Sequence, residues 1–185
     1  MRIIAGQYRG TPLASVGKGD TAAHLRPTAD RVRESLFSML THHDVIAGAR
    51  VLDLFAGTGA LGLEALSRGA AHVSFVDDGR VAQGLIRQNI AKLRVADRTV
   101  LLRRDALRLP VFDGAPFDLV FLDPPYGKAL GEKALAVAEA GGWLAPAAFV
   151  VWEEAQPMAA PESFALVDQR RYGDTHITLL SKTTA

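Results

Sequence analysis

The chain has 185 residues, 49% of them apolar and 22% charged, with a formal net charge of +1. That composition suits one soluble globular domain, and the bulk charge gives no argument for a nucleic-acid partner. There is no cysteine, which excludes disulfides, thiolate zinc sites and any mechanism that needs a cysteine nucleophile.

Charge is unevenly spread. Residues 1–50 hold seven Arg or Lys against four Asp or Glu, so the positive excess sits at the N-terminus, where a phosphate backbone could be met. No apolar run approaches the roughly 20 residues of a membrane helix, and no basic stretch leading into an apolar run opens the chain. A cytoplasmic, membrane-free monomer is expected.

In chain order, Arg2–Ala5 and Tyr8–Ala14 read as a short hairpin punctuated by Gly6 and Gly10. Residues 15–25 read as a loop. Pro27 and Thr28 open a helix that Thr28 caps, with Val32, Leu36, Phe37 and Leu40 on one face. From Val51 apolar runs alternate with helical stretches. Strands are expected at Val51–Phe55, His72–Asp77, Thr99–Arg103, Phe117–Asp123 and Ala147–Glu153. Helices are expected at Thr58–Arg68, Arg80–Leu93 and Lys128–Ala140. Nearly continuous apolar strands between helices argue a parallel sheet covered on both faces. Phe164–Tyr172 and Thr175–Ser181, joined by Gly173-Asp174, read as a closing antiparallel hairpin. The expected fold is a doubly wound, mostly parallel seven-stranded α/β sheet of the class I methyltransferase, Rossmann-like kind. Residues 1–45 form an extension to a core of residues 46–185 within one domain.

Two motifs carry chemistry. Val51 to Gly62 is a strand, a tight turn and a helix start, with Gly57, Gly59 and Gly62 in a G-x-G-x-x-G pattern. Phe55, Ala56, Thr58 and the two turn glycines would line a cofactor at the helix amides. Asp53 lies inside the strand, where a carboxylate suits a cationic amino-acid end rather than a pyrophosphate. Asp77, or Asp78 beside it, ends the second strand and can accept ribose hydroxyls. Asp105 and Ala106 follow the third strand, beside the adenine position. These features point to S-adenosylmethionine rather than a dinucleotide.

The second motif is Asp123-Pro124-Pro125-Tyr126, after a buried strand whose carboxyl end shares the ligand face. An exocyclic amine is a poor nucleophile because its lone pair is delocalised into the ring. Asp123 and the Pro124 carbonyl can accept its two hydrogens and stabilise the charge that grows on nitrogen. The prolines fix the backbone, and Tyr126 offers a ring for stacking. No metal is required, and the five histidines show no ligand spacing.

Met1 to Gly6 with Arg9-Gly10, the run Arg26 to Phe37, Asp53 to Gly62, Asp123 to Tyr126 and Tyr172 to Thr175 together resemble the RsmD family over nearly the whole chain. That resemblance implies methylation of the N2 amine of guanine 966 in 16S ribosomal RNA, in a small-subunit particle. It implies that Asp123, Pro124 and Tyr126 hold the amine and that Asp53, Gly57, Gly59, Asp77 and Asp105 line the cofactor. It also implies that the stretch from Arg26 to Glu34 folds over cofactor or RNA, with Thr28 near the methionine end. Where the family more often has Glu at the second strand tip, this chain has Asp77. The basic residues Arg2, Arg9, Lys18, Arg26, Arg31 and Arg33 are candidate RNA contacts. The alternatives are a DNA adenine-N6 or cytosine-N4 methyltransferase, a nicotinamide-dependent oxidoreductase and a non-catalytic RNA-binding protein. Only about 45 residues lie outside the core, little for reading duplex DNA in the major groove. An oxidoreductase leaves Asp53 and the tetrad unexplained, and intact motifs argue against a non-catalytic protein.

Overall fold

The computed structural model describes residues 1–17, 25 and 28–184. Seven strands form one sheet: β1 (Arg50–Leu54), β2 (His72–Val76), β3 (Thr99–Leu102), β4 (Phe117–Leu122), β5 (Leu144–Glu154), β6 (Phe164–Tyr172) and β7 (Thr175–Lys182). Their order is β3-β2-β1-β4-β5-β7-β6. Only β7 runs against its neighbours β5 and β6. This is the class I methyltransferase outline: parallel strands closed by an antiparallel pair. Gly173 takes φ +60 at the first loop position, as a two-residue hairpin turn of this hand requires.

The helices are α1 (Asp30–His42), α2 (Ala60–Ser67), α3 (Arg80–Leu93) and α4 (Leu130–Ala140). One apolar cluster joins α1, α2 and α3 to one face of the sheet through Leu36, Phe37, Leu63, Leu66, Ile86 and Leu93. On the other face Ala134, Leu135 and Ala138 of α4 pack with Trp143 and Trp152. The central strands are buried on both faces, which is why they read as unbroken apolar runs. No helix among the described residues is long and apolar enough to cross a membrane.

Five local expectations change. The N-terminal hairpin is present but shorter than expected: a single antiparallel bridge, Arg2 to Pro12, flanked by the Ile3 amide on the Thr11 carbonyl, the Gly10 amide on the Ile3 carbonyl and the Leu13 amide on the Met1 carbonyl. Its backbone bonds go partly to α2: Gln7 donates to the Ser67 carbonyl and Tyr8 to Ser67 Oγ. Thr28 does not cap α1. Ala29 holds the cap position without a side-chain bond, and Thr28 Oγ1 instead donates to Glu153 at 3.2 Å. Val32 is only half-buried, and Arg33 takes its place on the inner face of α1. Helix α4 begins at Leu130 rather than Lys128, because Gly127 and Ala129 are both left-handed. Strand β5 starts at Leu144, before a register shift against β4 that leaves Ala147 at φ +60. Most of the expected loop, residues 18–24, lies outside the described residues.

The N-terminal extension belongs to the same core. Ile3 and Leu13 are buried with α1 and α2. Gly6 lies so close to α2 that a Cβ there would fall 1.8 Å from the Ser67 carbonyl oxygen.

Candidate functional site

At the carboxyl end of β1 the chain turns through three left-handed residues: Phe55 at φ +57, Gly57 at +61 and Gly59 at +79. Glycine takes this region freely; for Phe55 it stores strain at the strand tip. Two carboxylates hold the turn. Asp77 accepts from the Gly57 amide at 2.9 Å and from the Gly79 amide at 2.8 Å. Asp53 accepts from the Gly62 amide at 3.0 Å, near the start of α2. Gly62 itself admits no side chain: a Cβ would meet Phe75 at 2.6 Å and Val73 at 2.7 Å. The third glycine therefore lets α2 settle on β2.

A cleft of about 230 Å³ opens beside this turn, lined by Phe55, Asp77, Asp78, Asp105, Ala106 and Pro125 among others. It brings together the tips of β1, β2, β3 and β4, as the parallel topology requires. Asp78 is exposed at its rim, while Asp77 is half-buried and engaged with the turn. Asp105 accepts from the Leu107 amide and opens a single 3-10 turn. Ala56 donates its amide to the Val76 carbonyl, and Thr58 is buried with its carbonyl bonded by Asn89. A larger hollow of about 450 Å³ lies between α1 and β6, around Arg31, Ser35, Arg170 and Tyr172. It is the wider of the two but touches neither motif, so the cleft is the candidate site.

The tetrad follows β4. Pro124 is buried and Pro125 exposed. The Tyr126 hydroxyl donates to Glu153 at 2.7 Å and lies 3.1 Å from Thr175 Oγ1. Glu153 also receives the Thr28 hydroxyl, and Glu154 accepts the Gly127 amide at 3.3 Å. Two successive acids at the end of β5 thus fix the loop. Sequence reasoning missed Glu153, Glu154 and Thr175 as site residues. The available signal was Glu153-Glu154 closing an apolar run in a parallel sheet, where strand ends face the ligand.

The electrostatics are one-sided. Burial, then the charges of Glu153, Asp53 and Glu154, hold the Asp123 carboxyl well above its ordinary range. Burial likewise raises Asp53, Asp77 and Glu153. Burial and Glu153 raise Tyr126. Among the described residues no Lys, Arg or His pairs with any of these carboxylates. Nor does the Asp123 side chain accept any hydrogen bond from a described residue, whereas Asp53, Asp77 and Glu153 all do. Buried acids without a countercharge favour a cationic ligand.

The basic candidates separate. Arg2 and Arg9 are exposed on the N-terminal loop, and Arg31 is exposed beside the larger hollow. Lys18 and Arg26 lie outside the described residues. Arg33 is corrected: it is fully enclosed, 2.6 Å from Asp30, 3.6 Å from the equally buried Glu64, and bonded to the Arg2 carbonyl. A guanidinium so held cannot reach a phosphate. It secures the N-terminal loop, whose Ile4 and Ala5 amides also bond Glu64.

The model of a family described as "Conserved hypothetical protein 95" matches residues 1–181. The chain belongs to the RsmD family. It is 43% identical over 154 residues to Ribosomal RNA small subunit methyltransferase D of Escherichia coli K12, covering 83% of this chain and 74% of that one. It is 35% identical to the protein of the same name from Haemophilus influenzae, covering 94% and 89%. A solved structure described as putative methyltransferase yhhF from Escherichia coli superposes with a TM-score of 0.86 at 36% identity, over 100% of this chain and 99% of that one. The RsmD match extends over the N-terminal loop, α1 and the sheet alike.

Proposed function

We propose that this protein transfers a methyl group from S-adenosylmethionine to the N2 amine of a guanine in 16S ribosomal RNA, position 966 by its family, and that it acts as a monomer on a small-subunit particle. One observation carries the reading: an acid cluster without a countercharge adjoins a nucleoside-sized cleft, and in it Asp123 keeps a vacant acceptor. Membership of the RsmD family and the names of its relatives support the RNA substrate.

The residues fit the cofactor. Asp77, Asp78 and Asp105 border the cleft where ribose and adenine would lie. Phe55 to Gly59 would flank the methionine end, with Asp53 and Thr28 near it. When bound, S-adenosylmethionine supplies an electrophilic methyl group on a sulfonium that leaves as a neutral thioether. Asp123 and the Pro124 carbonyl accept the two amino hydrogens and turn the nitrogen lone pair toward the methyl group. Tyr126, its hydroxyl fixed by Glu153 and Thr175, presents its ring to the base. As positive charge arrives on nitrogen, the raised Asp123 carboxyl is suited to take the surplus proton.

The test is transfer of labelled methyl to ribosomal RNA and to small-subunit particles from a strain lacking the enzyme, followed by nuclease mapping. Label in a guanine at N2 is expected. Label on DNA instead, or none on either RNA substrate, overturns the reading. Asp123→Ala is expected to abolish transfer while calorimetry finds cofactor affinity largely kept; unchanged turnover would refute its role.

A further inference from the structure

The charge balance of the whole chain hides a second concentration of positive charge. Residues 80–108 hold eight Arg or Lys and two Asp or Glu, a net +6 in a chain whose total is +1. This stretch is α3, the turn after it, β3 and the β3 tip.

Within it, Arg80, Arg87 and Arg94 recur every seven residues; Arg80 and Arg87 fall on one side of α3, and Arg94 caps its C-terminal end in the left-handed conformation. Their spacing is about 10 Å and the row is about 21 Å long. All three are exposed. Gly84 and Ala91, which share their side of the helix, raise nothing between them; the Gly84 position opens on free space. A helix face that is merely solvated usually mixes signs. Helix α3 has no Asp or Glu at all. Arg80 even stands in the first turn, at the positive end of the helix dipole, where an acid would stabilise and a cation does not. Among the described residues Arg80, Arg87, Arg94, Arg103 and Arg104 make no ion pair. Arg80, Arg87, Arg103 and Arg104 therefore gain no charge partner from the fold; Arg94, at the negative end of the helix dipole, is the exception.

The fold then gathers them on one flank. Strand β3 is the sheet edge, and α3 runs back beside it. Arg98 enters β3 and donates to the Tyr8 hydroxyl at 2.8 Å, so the N-terminal loop with Arg9 adjoins the same flank. Arg103 and Arg104 leave β3 at the ligand end, both exposed, and Arg104 borders the cofactor cleft. At about 4.8 Å per strand, β3 lies about 14 Å from the tetrad-bearing β4. A strand tracking this flank would arrive at the tetrad within a few nucleotides.

We propose that the α3–β3 flank is the docking surface for the phosphate backbone of the RNA substrate, with Arg80, Arg87 and Arg94 as its row of contacts and Arg103 and Arg104 leading to the site. The partner chemistry is a polyanion of regularly spaced phosphates, which planar guanidinium groups grip with two bonds each. The proposal rests on the RNA reading above and names where that RNA lies.

The experiment compares wild type with the triple variants Arg80→Gln/Arg87→Gln/Arg94→Gln and Arg80→Lys/Arg87→Lys/Arg94→Lys. Binding of small-subunit particles from a strain lacking the enzyme, and of a 16S fragment spanning the mapped guanine, is followed by anisotropy across a salt series, with cofactor affinity by calorimetry as the check on folding. The glutamine variant is expected to bind RNA at least tenfold more weakly at low salt. Its slope of log K against log salt should fall by about two, as loss of three phosphate contacts requires. KM for RNA should rise with kcat held, and the lysine variant should keep most of the slope. Unchanged RNA affinity and slope in a glutamine variant that binds cofactor normally overturns the surface while leaving the RNA reading intact. Failure of the wild type to methylate or bind RNA removes that reading, and this proposal with it.

Discussion

Glu153 links three stretches that are far apart in sequence. It holds the Tyr126 hydroxyl, receives Thr28 from the N-terminal extension, and stands beside Thr175 of the closing hairpin through that same tyrosine. It is also the first-ranking charge that pushes the Asp123 carboxyl up, after burial. Glu153→Gln keeps an acceptor for Tyr126 but removes that charge. In the proposed reaction Asp123 must be ionised to accept an amino hydrogen, so its carboxyl should set an acidic limb in the rate profile. Removing a neighbouring negative charge lowers that carboxyl, and the limb should move to lower pH. A kcat–pH profile in the variant that superposes on wild type, with Tyr126 still ordered, would remove Glu153 from this role.

At the scale of elements, the join between β1 and α2 sets the glycine loop. Asp53 bonds Gly62 across it, and a Cβ at Gly62 would collide with Phe75 and Val73 of β2. Gly62→Ala should force α2 away from β2. Overpacking of this kind costs about 1–3 kcal/mol, read as a lower midpoint in chemical denaturation. Because the shift also disturbs the Asp53 bond, cofactor affinity should fall with stability. A Gly62→Ala protein of wild-type stability and affinity would show that the contact yields more easily than its distances indicate. The N-terminal loop is joined to α2 by a different device, the enclosed Arg33–Glu64 pair with Arg68 at 2.9 Å from Glu64. Both devices explain residues that look functional in sequence and act through packing.

For the molecule as a whole, four raised carboxyls make folding and ligand binding depend on pH in a fixed direction. Asp53, Asp77, Asp123 and Glu153 bind protons more tightly folded than unfolded, where carboxyls titrate near ~4. Between that value and their raised folded values the native state carries the extra protons. Their contribution to stability is therefore present at low pH and lost as pH rises through the folded values. A cationic ligand relieves the same ionised groups. The rise in Tm on adding S-adenosylmethionine should then be larger at an alkaline than at an acidic pH. The increase with pH should be smaller for S-adenosylhomocysteine, whose sulfur is neutral. A Tm shift that is the same at both pH values for both ligands would mean that these acids do not meet the sulfonium.

The sequence by itself determined the sheet and both motifs, because each is local. Apolar runs buried on two faces, helices of matching length between them, and turn glycines at the strand end are written within a few residues of one another. Arg80–Leu93 and Phe164–Tyr172 stand at the bounds expected of them. The RsmD resemblance was also legible as residue strings. Tertiary structure alone decided which charges are available. Nothing in the run from Arg31 to Glu34 distinguishes an exposed arginine from one sealed against Glu64, since the partner is about thirty residues away and burial depends on how α1 meets α2. Nor does a motif announce Glu153, whose importance comes from β5 lying beside β4 and β7. The Arg80, Arg87 and Arg94 spacing was present in the sequence but vanished in a balanced charge count. Placing β3 at the sheet edge is what turns it into one exposed flank.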